Sequence, residues 1–338
     1  MLMKSKPDML RLGARWANAA RLATAAVLAA AACMSASAQD FPSKPITLVV
    51  PFAPGGATDV SARRVAEEMQ KTLRTSVVVE NKPGAGSIVA AHYVAKAPKD
   101  GYVLFFGGPA VVALNPHIYK NLPYKASDLA PVSSVTKQAF VLNGAPSLPV
   151  KTVAELVAYA KQKPDGLSIA TSGTGTASHI IAELIVRSLG IKAVFVPYKG
   201  ASQSTLDLIS GRIDAQIDGI STAVALHNAG KTRIMASTGA ERSIIPDGVQ
   251  TFVEAGYPQL VAYANFAVMA PAGTPEPVIR KLHAAIVAAL AVPSQAEKWK
   301  ASGELPDPSA SPEDFAAAVK ADTKRWGDIV KPMNLSLD

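Results

Sequence analysis

At 338 residues, with one cysteine and a formal net charge of +8, the chain is long enough to bury its own core and has no disulfide framework. Its 34 Lys and Arg are scattered instead of clustered, which excludes a nucleic-acid surface. Its five histidines are dispersed, with no His-Glu-x-x-His and no cysteine pair, so neither a metal site nor a cofactor is expected.

Residues 1–38 carry Lys4, Lys6, Arg11, Arg15 and Arg21, then the apolar stretch Leu22 to Ala32, then Ala36-Ser37-Ala38. This pattern predicts a secretory signal peptide cut after Ala38. Ala30 stands where a lipoprotein acylation site usually has Leu, so Cys33 is read as part of the signal and the mature protein as soluble. Cleavage takes five of the 34 basic residues and one of the 26 acidic ones, so the formal charge falls from +8 to +4. The only cysteine leaves too, and export without disulfides suits the bacterial periplasm. About 300 remaining residues predict two domains or one large α/β domain.

Pro45 to Asp59 then sets the plan of the chain. The β-branched run Ile46 to Val50 reads as a strand, Pro51 to Gly56 as a small-residue loop, and Asp59 as a cap for the helix that follows. Such a loop turns backbone N–H groups and the positive end of a helix dipole toward one spot, which suits an anion. Ala62, Val65, Ala66, Met69 and Leu73 fall at helical spacing, Val77 to Val79 form a second strand, Ile88 to Ala95 a helix, and Tyr102 to Phe106 a third strand ending at Gly107-Gly108. Short apolar strands alternating with helices predict a parallel sheet with covered faces.

A second set begins near Ser147. Thr152 and Glu155 form a capping box, Leu167 to Ala170 is a strand, and Ser172-Gly173-Thr174-Gly175-Thr176-Ala177-Ser178-His179 leads into a helix stopped by Gly190. The opening arrangement thus recurs. Ala193 to Val196 runs into Tyr198-Lys199-Gly200, and Ile213, Ala215 and Ile217 alternate with polar residues in a strand reaching Asp218. In the last third, Phe266 to Met269 is a strand, and long helices follow at Glu276 to Leu290 and after Ser311-Pro312-Glu313, packing back on the first lobe. Two α/β sets suggest two lobes, with both glycine loops lining the cleft beyond the strand ends.

Together the segments Val50-Pro51-Phe52-Ala53-Pro54-Gly55-Gly56 with Asp59, Val79-Glu80-Asn81-Lys82-Pro83-Gly84-Ala85-Gly86, Val196-Pro197-Tyr198-Lys199-Gly200 and Ala270-Pro271-Ala272-Gly273-Thr274-Pro275 resemble the Bug family. These are periplasmic solute-binding receptors of tripartite tricarboxylate transporters. The resemblance spans nearly the whole mature chain and implies an α/β, two-lobed periplasmic binding protein of type II, a Venus flytrap. It implies a monomer that closes on a small organic carboxylate and delivers it to inner-membrane transporter subunits. It also implies ligand contacts from Phe52, Ala53, Pro54, Gly55, Gly56, Thr58 and Asp59, and from Ser172, Gly173, Thr174, Gly175, Thr176 and His179, through N–H groups, hydroxyls and bridging water. Gly108, Tyr198, Lys199 and Asp218 are further candidates. The expected lobes are residues 39–140 plus 264–338, and 141–263. Where the family often places a Trp, this chain has Asn265, either in the cleft wall or in the hinge.

Neither loop contains Arg or Lys, so a carboxylate held there is neutralised by N–H groups, hydroxyls and dipoles. Hydrogen bonds to a charged group contribute about 1.5–3 kcal/mol each, so three or four of them suffice for micromolar binding. Each candidate also has a plainer role: the glycines in tight turns, His179 as a structural hydrogen-bonding group, Lys199 as a solvated cation, Asp59 as a helix cap. Ser172, His179 and Asp218 are the residue types of a hydrolase triad, but Ala170 breaks the Gly-x-Ser-x-Gly elbow, so no enzyme is expected. A sensory receptor acting through a membrane histidine kinase needs the same clamp as a transport receptor. The particular acid is not legible in these residues.

Overall fold

The β-branched run Ile46–Val50 forms strand β1, buried nearly throughout because both faces of the sheet are covered. The computed structural model describes residues 41–242 and 245–337, and the expected signal peptide lies outside the described residues. All elements below belong to one compact unit, Lys44–Asp338.

Helix α1 (Ala57–Leu73) links β1 to the parallel strand β2 (Val77–Asn81), and α2 (Ile88–Ala95) links β2 to β3 (Val103–Gly107), which pairs in parallel with the other side of β1. Two helical turns follow, α3 (Ala110–Ala113) and α4 (Asn115–Ile118). Then comes β4 (Leu129–Gly144), a strand of 16 residues.

The second set is α5 (Val153–Lys161), β5 (Leu167–Thr171), α6 (Ala177–Leu189), β6 (Ala193–Pro197), α7 (Ala201–Ile209), β7 (Ala215–Gly219), α8 (Ile220–Asn228), β8 (Arg233–Ser237) and β9 (Gln250–Thr251). Its local signals act as the sequence predicts. Thr152 accepts from the Glu155 amide at 3.2 Å, although the Glu155 carboxylate reaches back to Lys151 instead of Thr152. Gly190 ends α6 at φ 62°, the left-handed cap that glycine adopts without a Cβ penalty. The chain returns along β10 (Tyr263–Pro271) and closes with α9 (Glu276–Leu290), α10 (Pro293–Ala301), β11 (Leu305–Pro306) and α11 (Pro312–Val330), the last capped by Ser311.

The strands join in one sheet whose main path runs β2-β1-β3-β10-β4-β7-β5-β6. It is mixed, not purely parallel. β1–β2–β3 and β5–β6–β7 are parallel as expected, but β10 and β4 enter the middle antiparallel to their neighbours. β4 changes partners along its length: Leu129–Ala139 pairs with β10, Phe140–Gly144 with β7, and Val141–Gly144 also with β8. β7 differs from expectation as well, since all five of its residues are buried and Gln216 bonds to the Ala201 carbonyl.

The two halves of the sheet carry separate apolar clusters. Val49, Phe105, Met269 and Phe315 share one, while Leu142, Ile169, Ile180, Ile217 and Trp326 share another. α11 supplies Phe315 to the first and Trp326 and Val330 to the second, so the expectation that the tail packs back on the first lobe covers only part of what it does. Among the described residues, no single helix is long and apolar enough to cross a membrane.

Candidate functional site

The first glycine loop leaves β1 at Pro51 and enters α1 with Gly56 as N-cap residue and no capping side chain. Asp59 ties the loop down from within the helix. It is 3% exposed and accepts from the Gly55 amide (3.0 Å), from Arg63 (3.0 Å to each carboxylate oxygen) and from Asn81 (2.9 Å), while Asn81 also donates to the Phe52 carbonyl (2.9 Å). Burial raises its pKa, but the bonds from Arg63, Gly55 and Asn81 together outweigh that and hold it below the usual carboxylate value.

The second loop is held by hydroxyls. Thr176 caps α6 by accepting from the His179 amide (3.4 Å) and donates to the Gly173 carbonyl (2.7 Å), and Ser178 accepts from the Ser172 amide (3.0 Å). His179 is buried, accepts from the Gly175 amide at 3.2 Å and stands edge-on to Phe195. Burial lowers its pKa, against a weaker opposite pull from Glu183.

A cavity of about 100 Å³ lies where these helices begin. Ala57 and Thr58 of α1 line it, as do Ala177 and Ser178 of α6, and the amides of those residues come too early in their helices to have an intrahelical partner. Ser87, just before α2, joins the lining. The hydroxyls of Thr58, Ser87 and Ser172 have no hydrogen-bond partner among the described residues. Free amides, hydroxyls and two dipole ends at one cavity make an anion site. Ser87 ends a run of four positive φ values, 142°, 44°, 58° and 76° from Gly84 to Ser87. Ala85 and Ser87 hold this conformation at about 1–2 kcal/mol each, strain of the kind that collects at ligand sites.

At α8 the positive end is already occupied. Asp218, 6% exposed, accepts from the Gly219 amide (2.7 Å) and from the Thr222 hydroxyl. Burial pushes its pKa up to about 6, with Thr222 and Gly219 pulling the other way.

The predicted site residues therefore separate into groups. Phe52, Thr58, Gly108, Ser172, Thr176 and Asp218 line the cavity. Gly173, Thr174, Tyr198 and Lys199 line an adjoining opening of about 450 Å³, which shares Phe52, Gly86, Ser87 and Ser172 with the cavity. The Tyr198 hydroxyl donates to Asp207 (2.7 Å), and burial followed by that carboxylate pushes its pKa up to about 12. Ala53, Pro54, Gly55, Gly56, Asp59, Gly175 and His179 line neither space. The amides of Gly55 and Gly175 are spent on Asp59 and His179, and the Ala53 amide on the Lys199 carbonyl (3.0 Å), so these three donors are not free for a ligand. That last bond ties the first glycine loop to the loop after β6, and Tyr119, just after α4, ties down the second glycine loop by donating to the Thr174 carbonyl (3.0 Å).

Several cavity residues carry no loop signature in the sequence. Gln138 of β4, Asn115 of α4, and Tyr263 and Asn265 of β10 line it, which puts Asn265 in the cavity wall. Arg325 and Trp326 of α11 line it too, so a cation is present although neither loop supplies one. Arg325 is paired with Asp322 at 2.8 Å and its side chain is 45% exposed, so the pair adds little net charge. No hydrogen bond joins Ser172, His179 and Asp218, and among the described residues no cluster of His, Cys, Asp or Glu could hold a metal.

Comparison with known proteins agrees with this architecture. Residues 61–335 match the family described as tripartite tricarboxylate transporter family receptor. The chain is 34% identical to the protein BugT of Bordetella pertussis over 303 residues, covering 89% of this chain and 93% of BugT. The structure of the periplasmic binding protein BugD superposes with a TM-score of 0.82 at 33% identity, covering 88% of this chain and 99% of BugD. Rpa4515 of R. palustris, solved with adipate, gives 0.84 at 34% identity, with 88% and 99% covered. The chain belongs to the tripartite tricarboxylate transporter receptor family, whose members are two-lobed periplasmic solute-binding proteins and not enzymes.

Proposed function

We propose that this protein captures a small organic carboxylate in the periplasm and hands it to inner-membrane transporter subunits, working as a monomer after removal of residues 1–38. The observation that carries the reading is the convergence of the α1 and α6 N-termini on one cavity, with free amides and the unpartnered hydroxyls of Thr58, Ser87 and Ser172. A carboxylate there accepts several charge-assisted bonds and needs no arginine of its own. Phe52, Thr58, Gly108, Ser172, Thr176 and Asp218 are its contacts, with Gly173, Thr174, Tyr198 and Lys199 at the mouth. Ala53, Gly55, Gly56, Asp59, Gly175 and His179 shape the loops. Binding of adipate by Rpa4515 supports the ligand class.

The clamp consists of lobes 39–140 plus 264–338, and 141–263, a division supported by the change of partners in β4 at Ala139 and Phe140. The Ala53–Lys199 and Tyr119–Thr174 bonds are the ties a closed clamp makes. A thermal-shift screen of mono-, di- and tricarboxylates, amino acids and neutral sugars tests the reading. A ligand at 100 times its dissociation constant adds about 2.7 kcal/mol of stability. Stabilisation by acids is expected; stabilisation by sugars alone, or by no compound, sinks the proposal.

A further inference from the structure

Gln138 is 1% exposed, and its carboxamide lies against Gly219, where an added Cβ would sit 2.6 Å from Oε1 and 2.8 Å from Nε2. Oε1 accepts from the Ser221 amide at 2.9 Å, which settles which end of the carboxamide is oxygen. Nε2 is then a buried donor with no acceptor among the described residues, on a residue that lines the cavity. Native structures rarely leave such a donor unmatched, so the cavity's occupant is its natural partner.

Asp218 stands beside the same glycine. Its two oxygens accept from the Gly219 amide and the Thr222 hydroxyl, no cation among the described residues pairs with it, and each oxygen keeps a free lone pair. The cavity wall therefore offers, beside Gly219, one donor lacking an acceptor and one carboxylate able to accept a further bond.

We propose that Gln138 and Asp218 form a polar subsite that reads a hydroxyl on the ligand, so that the acid bound here is a small hydroxy acid. The inference rests on the carboxylate reading above. A hydroxyl accepts from Gln138 Nε2 and donates to Asp218 through one oxygen. An ammonium only donates and leaves Gln138 unmatched, a keto oxygen only accepts and offers Asp218 no proton, and a methylene leaves Gln138 unmatched and Asp218 without a further bond. Sites built around a substrate hydroxyl reject analogues that lack it, because their buried polar groups stay unpaired.

Titration calorimetry on the full chain tests this with succinate, malate and aspartate, one skeleton bearing hydrogen, hydroxyl or ammonium, and with glutarate against 2-hydroxyglutarate. The hydroxy acid of each set is expected to bind at least tenfold more tightly than its analogues. In Gln138→Leu that ratio should collapse toward one. Asp218→Leu, which removes the acceptor at similar size, reads the same collapse independently should Gln138→Leu fail to fold. A ratio below tenfold in the unmodified protein, tightest binding of aspartate, or a ratio unchanged in the folded variants overturns the subsite while acid binding itself leaves the carboxylate reading standing. Binding of no acid at all overturns both.

Discussion

The two glycine loops look alike in sequence, a strand followed by small residues and a helix, yet they are built on different chemistry. The first is anchored by charge: Asp59 gathers Gly55, Arg63 and Asn81. The second is anchored by neutral groups, through Thr176, Ser178 and the buried His179. Their glycines differ as well. Gly55, at φ 84°, has open space where a Cβ would go, whereas Gly175, at φ 75°, has Tyr119 and the Leu337 side chain there. One glycine serves a backbone angle alone, and the other also lets the second loop pack closely against Tyr119 and Leu337.

Gly175→Val attacks the difference most directly. A side chain there drives into the Tyr119 ring, and it also adds the left-handed strain of about 1–2 kcal/mol. Acid affinity should fall at least 100-fold by titration calorimetry, with the far-ultraviolet circular dichroism unchanged. Affinity within threefold of the unmodified protein would show that binding does not need the second loop packed against Tyr119.

Next in size is Asp59→Ala, which strips three partners of their acceptor and should cost about 3 kcal/mol in denaturant unfolding at pH 7. The pH dependence has a definite sign. Because the folded-state pKa of Asp59 lies below the unfolded one, its contribution is complete above about pH 4 and disappears as pH falls through the folded value. The two unfolding curves should therefore converge in acid.

His179→Gln probes the neutral loop. The amide oxygen of Gln can still accept from Gly175, so the cost at pH 8 should be only about 1 kcal/mol. Burial holds the His179 pKa below its ordinary value, so its contribution is complete above about pH 6.5 and is lost as pH falls toward the folded value. The variant should lose that part of the acid lability, and an unchanged stability profile between pH 7 and 5 would contradict the buried neutral ring.

The smallest effect belongs to Gly55→Ala. With nothing within 4 Å of the new methyl, only the backbone angle is strained, so about 1 kcal/mol of stability should be lost. Binding should stay within threefold. A large loss of affinity here would make the two loops equivalent after all.

Much of this arrangement is local and was legible in the residues. Helix caps at Thr152 and Ser311, the glycine stop at Gly190 and the apolar run of β1 act through neighbours a few residues away, and each forms where its pattern indicates. β4 shows no clean strand pattern in the sequence, although Val132, Val135, Phe140 and Val141 carry β-strand preference. Its buried Ser133, Thr136, Gln138 and Asn143 hide the pattern, because polar residues in a core are tolerated only where distant partners or a ligand satisfy them. The two strand-loop-helix units and their capacity for an anion were therefore set by sequence alone, through short-range backbone preference. Which amides stay free, and that Gln138, Asn265 and Arg325 join them at one cavity, depended on β10, β4 and α11 meeting across the sheet, where contacts between residues more than a hundred positions apart decide the outcome.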